Sequence, residues 1–152
     1  MKKFVGDAEG IKAQLDVKTE QELSRLLQDQ GKRVAMPLNT KTLEAGSSHV
    51  FGLGILNINS AIDEFTVDIS FSKAIDDEQN AYTPDQPGVI KSYILYDPGP
   101  FSLTENQYES VPILVDVPKD AKKGTYIFNV KVTSKIKAAQ YDNTKKFYVT
   151  IV

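Results

Sequence analysis

The chain of 152 residues contains no cysteine and no tryptophan, and it has a single histidine, His49. The absence of cysteine excludes disulfides, thiolate nucleophiles and zinc–thiolate sites, and a single histidine excludes histidine-rich metal sites. Ser47 and Ser48 adjoin His49, but a Ser-His-Asp triad is a tertiary arrangement that sequence neighbours rarely make. We interpret His49 as a surface residue, and the sequence predicts no enzyme activity, metal or cofactor.

An excess of one charge is also lacking, because 18 basic residues face 20 acidic ones for a net charge of -2. A basic excess or stripe is typical of nucleic-acid binding, so no nucleic-acid partner is expected. The lysines of the C-terminal third fall at turns or alternate with apolar residues, which favours solvated strand edges.

Long apolar runs are missing as well. Nothing resembles a transmembrane helix, and Met1–Phe4 is not followed by an apolar stretch of signal-peptide length. We therefore expect either a cytoplasmic protein or an extracytoplasmic one whose leader or anchor was removed. Membrane attachment is expected only through such an anchor.

What is present is enough apolar sequence, 41%, for one domain with a core. Within an N-terminal extension, residues 1–33, a capping box at Thr19–Glu22 and leucines at helical spacing predict an amphipathic helix over about 19–30, ended by Gly31. Residues 11–17 fit a strand or a further helical turn.

From residue 34 to 152 the patterns indicate seven or eight short strands. The clearest is "DEFTVDISFS", in which Phe65, Val67, Ile69 and Phe71 share one face. Helices do not alternate with strands, so a parallel sheet is not expected. The sequence predicts an all-β, immunoglobulin-like antiparallel β-sandwich with a short N-terminal helix.

Two glycines stand out in the strand "HVFGLGILNIN". Gly52 and Gly54 lie on the face opposite Phe51, Leu53 and Ile55, where they leave an open groove. We favour cover by the N-terminal helix or the chain before it. A groove that docks a partner strand or helix is the alternative, and it makes both glycines candidate partner contacts.

The polar stretch 73–88 is predicted to be a surface loop. We expect it to be the most variable contact, with Asp76, Asp77, Glu78 and Tyr82 as candidate contact residues. Its acidic residues, with Asp85, would suit calcium, but the EF-hand spacing is absent and an ordinary acidic surface is favoured.

The C-terminal half shows a recognisable order of turn and strand motifs. Its elements are Phe101-Ser102-Leu103, Glu105-Asn106, Val115-Asp116-Val117-Pro118, Lys119-Asp120 and Gly124-Thr125-Tyr126. Together with "LEAGSSHVFGLGILN", it resembles immunoglobulin-like domains of prokaryotic cell-surface proteins, over about residues 42–152. The loop at 73–88 and the N-terminal helix depart from that pattern.

The resemblance implies a non-catalytic binding or assembly module at the cell surface, with a protein partner at the cell envelope or a second copy of the chain. One alternative is a carbohydrate-binding module, which would use exposed aromatics. Its candidates are Tyr82, Tyr93, Tyr96, Tyr108 and Tyr141. Another alternative is an intracellular scaffold.

Overall fold

The computed structural model describes residues 17–76, 78, 80–82 and 92–152, which form two packed β-sheets and one short helix. The strands are β1 (Val34–Ala35), β2 (Thr40–Leu43), β3 (Ser48–Leu56), β4 (Asp63–Asp76), β5 (Ala81–Tyr82), β6 (Ile94–Tyr96), β7 (Phe101–Leu103), β8 (Tyr108–Asp116), β9 (Gly124–Ser134), β10 (Ala139–Gln140) and β11 (Lys145–Ile151). This architecture confirms the predicted all-β sandwich.

The described residues contain eleven strands, more than the seven or eight expected, and β5 and β10, with two residues each, are too short to show an alternating pattern. The first sheet has the order β1-β3-β8-β6. The second has the order β2-β11-β9-β4-β5, with β10 beside β9 and β7 beside β4.

The antiparallel prediction is wrong for one pair, β2 and β11, which run parallel. These strands lie far apart in sequence and are not joined by a hairpin. The chain passes from β1 in the first sheet to β2 in the second, and there β2 adds to the edge strand β11 in the same direction. Alternation within a strand carries no information about such a pairing.

The core lies between the sheets and is lined by the alternate apolar residues of each strand. Three phenylalanines join the layers: the Phe147 ring centroid is 4.9 Å from that of Phe51 and 5.0 Å from that of Phe128. Phe65 and Ile69 are buried as predicted, whereas Phe71 is only partly buried, because the β4–β9 register shifts just after it. Such a bulge changes which face the following residues occupy.

The helix α1 spans Val17–Ser24 and continues as a π-helical turn over Arg25–Asp29. Gly31 ends it with a φ of 67°, as predicted. The capping box is wrong, because Thr19 lies inside the helix and is 5% exposed. Residues 11–16, which include most of the ambiguous segment, lie outside the described residues. The domain boundary at residue 33 stays a prediction.

Candidate interaction surface

Gly54 is covered by the N-terminal helix. A Cβ atom built on Gly54 would lie 2.6 Å from Leu27 Cδ1 and 2.9 Å from Leu23 Cδ2. Both leucines are fully buried and form a small cluster with Ala35 and Leu56. A side chain at position 54 would therefore push the helix from the sheet, and the missing side chain has a packing reason.

Gly52 lies two residues earlier on the same face of β3, opposite Pro112 of β8, and both residues are buried. Both glycines are buried in this structure. Their role as partner contacts would require the residues that cover them to move, so it stays a prediction.

The stretch predicted as a loop from residue 73 is wrong over its first part, since β4 runs to Asp76 and pairs with β5. We call the turn between these strands the acidic hairpin. Asp76 closes it internally: its Oδ1 accepts hydrogen bonds from the backbone N–H groups of Glu78 (3.0 Å) and Asn80 (2.9 Å). The polar composition hid the strand, although Ala74 is buried.

Of the other candidate contact residues in this stretch, the structure describes Glu78 and the backbone pairing of Tyr82. The Glu78 side chain is exposed, and Tyr82 is a backbone partner of Ala74 in the β4–β5 pair. Asp77 and Asp85 lie outside the described residues, so the favoured interpretation of this stretch as an ordinary acidic surface, rather than a calcium site, stays a prediction. Within the described ranges, no three His, Cys, Asp or Glu side chains are grouped to hold a metal ion.

His49 lies near the start of β3 and is half-buried rather than a free surface residue. Its ring packs edge-on against Phe51 at a centroid distance of 4.7 Å. The strand places the residue beside the core aromatics, which is a packing role.

The sandwich has a second feature that sequence reasoning missed, an exposed apolar group at the end opposite the acidic hairpin. Ile58 and Ile62, between β3 and β4, are 40% and 62% exposed, and Ile136, between β9 and β10, is 54% exposed. We call this surface the isoleucine end. Its signal in the sequence is apolar residues inside the polar loops "NINSAID" and "SKIKA".

Asp63 fastens the two isoleucine-bearing loops to each other. Its carboxylate is 1% exposed and accepts hydrogen bonds from Ser134 Oγ (2.5 Å) and from the Ile136 N–H (3.0 Å). The Glu64 N–H and the Asn59 side chain donate to it as well, each at 2.8 Å. Burial alone would raise the pKa of Asp63, but these hydrogen bonds outweigh it and lower that pKa.

Asn57 performs a similar role for the loop between β7 and β8. It is fully buried, and its side-chain amide donates to the carbonyls of Leu103 (2.8 Å) and Ala61 (3.0 Å). Its backbone carbonyl accepts from the Asn106 N–H at 2.8 Å. The loops of the isoleucine end are therefore held by buried hydrogen bonds rather than by apolar packing alone.

Tyr141 completes this end from the loop after β10. Its hydroxyl donates to the Leu56 carbonyl (2.7 Å) and accepts from the Ile58 N–H (3.0 Å). Burial raises the pKa of the phenol, which keeps the donating proton in place. The guanidinium carbon of Arg33 lies 5.6 Å from the Tyr141 ring centroid. The Arg33 cation therefore lies over the ring of a buried, hydrogen-bonded tyrosine.

The tyrosines proposed for sugar stacking are mostly engaged elsewhere. Tyr141 is 2% exposed, Tyr108 packs against the helix cluster, and the Tyr96 hydroxyl accepts from the Ile69 N–H at 3.0 Å. Tyr93 packs partly against the core, and the Tyr82 side chain lies outside what is described. The described tyrosines form no exposed aromatic platform.

The chain matches no model of a known protein family, and no curated protein matches it. Among solved structures, it is similar to a family 123 glycoside hydrolase from Clostridium perfringens: TM-score 0.57, 16% identity, 85% of this chain and 25% of that chain. The chain thus spans a quarter of that enzyme's length. It is also similar to a PapD-like domain of human CEP192: TM-score 0.55, 11% identity, 79% of this chain and 85% of that chain.

A weaker similarity, with a TM-score of 0.43 and 11% identity, joins 80% of the chain to a structure of a cohesin–dockerin complex from Clostridium thermocellum, of which it covers 100% of the matched chain. The two similarities with TM-scores above 0.5 support the fold alone, a two-sheet β-sandwich. None of the described helices is long and apolar enough to cross a membrane.

Proposed function

We propose that this chain is a non-catalytic binding module of a prokaryotic cell-surface or appendage protein, and that it contacts a protein partner through the isoleucine end. One observation carries the proposal: three exposed isoleucines lie on loops that hydrogen bonds of the buried residues Asp63 and Tyr141 tie together. The resemblance to prokaryotic surface domains supports an extracytoplasmic location.

The energetics of this surface suit binding. Exposed apolar groups on a folded domain mark interaction sites when they cluster. A partner that covers three partly exposed isoleucines gains about 1 kcal/mol from each. Because the loops are already ordered by Asp63 and Asn57, little conformational entropy is lost on binding.

A catalytic role has little support in the described residues. Asp63 is the buried carboxylate there, and four hydrogen bonds occupy its two oxygens. A general base needs a lone pair that faces a substrate, and this carboxylate instead holds two loops together.

The experiment is site-specific photocrosslinking in the native cells. A photoreactive amino acid replaces Ile136, Glu78 or, as a control on the exposed face of β4, Thr66. We expect a discrete adduct with an envelope protein from position 136 and none from position 66. The adduct should disappear when Ile62→Ser is added, because that change removes a neighbouring contact without removing the probe.

Other outcomes contradict the proposal in different ways. Adducts only from position 78 would move the contact to the acidic hairpin. An adduct of two copies of the chain would identify a homo-oligomer instead of an envelope partner. Recovery of the chain with cytoplasmic proteins in fractionated cells would favour the intracellular scaffold, and saturable binding on a glycan array would favour the carbohydrate-binding module.

A further inference from the structure

We propose that a cavity beside the isoleucine end binds a carboxylate group that the protein partner presents; this inference rests on the function proposed above. The cavity has a volume of about 520 Å³ and is lined by Arg33, Gln140, Tyr141, Asp142, Asn143 and Thr144. We call it the Arg33 notch. It lies where the chain enters β1 and where it passes from β10 to β11.

Arg33 is exposed and lies over the Tyr141 ring, and most of its N–H donors have no partner among the described residues. Its guanidinium stacks on Tyr141, a ring that is 2% exposed and anchored by two hydrogen bonds. A single long bond of 3.4 Å joins its Nη1 to the Tyr141 carbonyl. Arginine has five N–H donors, and Arg33 forms no ion pair with a carboxylate among the described residues.

The other charges of the notch are already balanced. Asp142 lies 3.4 Å from Lys145 Nζ and accepts a hydrogen bond from the Asn143 N–H at 2.8 Å. Gln140 and Thr144 bond to each other across the loop at 2.9 Å. Among the described residues, Arg33 therefore has no carboxylate counter-ion, and its charge favours an anion in the notch.

A carboxylate fits this arrangement better than a phosphate. The planar fork of one guanidinium matches the two oxygens of one carboxylate. A phosphate dianion would need further cations or free backbone N–H groups to balance its second negative charge. Within the described part of the chain, Arg33 is the lining cation that lacks a carboxylate partner, and its one positive charge matches a single negative charge.

Tyr141 connects the notch to the proposed contact surface. Its hydroxyl accepts from the Ile58 N–H, while its ring supports Arg33. Ile58 and Arg33 therefore contact the same tyrosine, so a partner that covers Ile58 has the notch within its reach. The geometry points to a segment that carries an apolar side chain next to an aspartate, a glutamate or a chain terminus.

The notch is tested with a defined probe. We propose NMR titration of the isotope-labelled chain with N-acetyl-glutamate methylamide, and with N-acetyl-glutamine methylamide as the neutral control. Saturable shifts are expected at the Arg33 Nε–H and the amides of residues 141–144 with the glutamate compound alone. Arg33→Gln should abolish them, and Arg33→Lys should weaken them, since lysine keeps the charge and loses the fork.

Two results would overturn the inference: no saturable shift up to about 0.1 M probe, which corresponds to negligible affinity, or equal shifts with both compounds. Thermal unfolding of Arg33→Gln and Arg33→Lys confirms that the variants fold. If Arg33→Gln fails to fold, the titration of Arg33→Lys tests whether the planar fork of the guanidinium binds the carboxylate. Weakened binding is expected, and unchanged binding would contradict this role.

Crosslinking separates this inference from the proposed function. In an Arg33→Gln chain, the adduct from position 136 should fall about tenfold, as expected for a lost charge-assisted pair. If Ile62→Ser removes the adduct and Arg33→Gln does not change it, the notch inference fails and the proposed function stands. If neither change affects the adduct, both fail.

Discussion

The isoleucine end and the acidic hairpin lie at opposite ends of one strand, the 14-residue β4, which begins at Asp63 and ends at Asp76. Both aspartates accept hydrogen bonds from backbone N–H groups, but Asp63 is buried and joins separate loops, whereas Asp76 closes its own turn. An acidic run in a sequence thus need not mark a binding surface. For this chain, we propose that the apolar residues in the polar loops mark the contact surface.

The largest expected difference between the ends comes from neutralising each aspartate. Asp63→Asn replaces an acceptor oxygen by a donor, leaves buried donors of Ser134 and Asn59 without a partner, and should lower the free energy of unfolding by about 3 kcal/mol. Asp76→Asn should cost less than about 1 kcal/mol, because both N–H groups bond to one oxygen of Asp76, and the amide oxygen of asparagine can accept both. Urea denaturation measures both changes in the free energy of unfolding. Equal losses would mean that Asp63 and Asp76 contribute equally to stability, which would contradict the difference between the two ends.

A somewhat smaller loss is expected where the helix supports β3 just before the isoleucine end. Gly54→Val would place methyl groups among the Leu23 and Leu27 side chains and should cost about 2 kcal/mol through overpacking. Thr66→Val on the exposed face of β4 is the matched control and should be nearly neutral.

A double variant tests whether the side chain at position 54 contacts Leu27. Leu27→Ala alone should cost about 3 kcal/mol as a cavity, and the Gly54→Val/Leu27→Ala pair should cost less than the sum, because valine fills part of that cavity. Additive losses would mean that the two positions do not meet. Unchanged stability of Gly54→Val would contradict helix cover.

Acid should affect the isoleucine end through Asp63. Because the pKa of Asp63 is lowered in the folded state, its contribution is complete above the unfolded value of about 3.9 and is lost as the pH falls through the folded value. The stability gap between wild type and Asp63→Asn, measured by urea denaturation, should therefore narrow below about pH 4. A gap that widens on acidification would mean that folding raises the pKa of Asp63 instead of lowering it.

The smallest effect is expected for the exposed isoleucines themselves. Ile136→Ser should change the free energy of unfolding by less than about 0.5 kcal/mol, because this side chain is 54% exposed. Ile69→Ser in the core is the positive control and should unfold the chain far more readily. A loss above about 1 kcal/mol for Ile136→Ser would mean that this residue serves packing rather than binding.

Much of the fold follows from local chemistry that a sequence displays. The alternation along β4 and the left-handed conformation of Gly31 are both found where they were predicted. The bulge after Phe71 and the parallel pairing of β2 with β11 were not predictable, because both depend on strands that are distant in sequence. Thr19 matched a capping motif, yet the helix begins before it.

The candidate surface was harder to predict than the fold. The acidic residues of the hairpin drew attention by their charge, whereas Ile58, Ile62 and Ile136 looked like ordinary loop residues. Their significance depends on Asp63, which brings two loops together over a sequence separation of 73 residues. A glycine in a strand was a more useful signal, since Gly54 predicted a close neighbour and Leu27 is that neighbour.

Whether the isoleucine end is the contact surface is tested most directly by crosslinking in native cells, as the ratio of adduct from position 136 to adduct from position 78. We predict a large excess at position 136, in an adduct that contains an envelope protein and is lost with Ile62→Ser. An excess at position 78, or adduct at position 136 that survives Ile62→Ser unchanged, would contradict the claim that the isoleucine end is the contact surface.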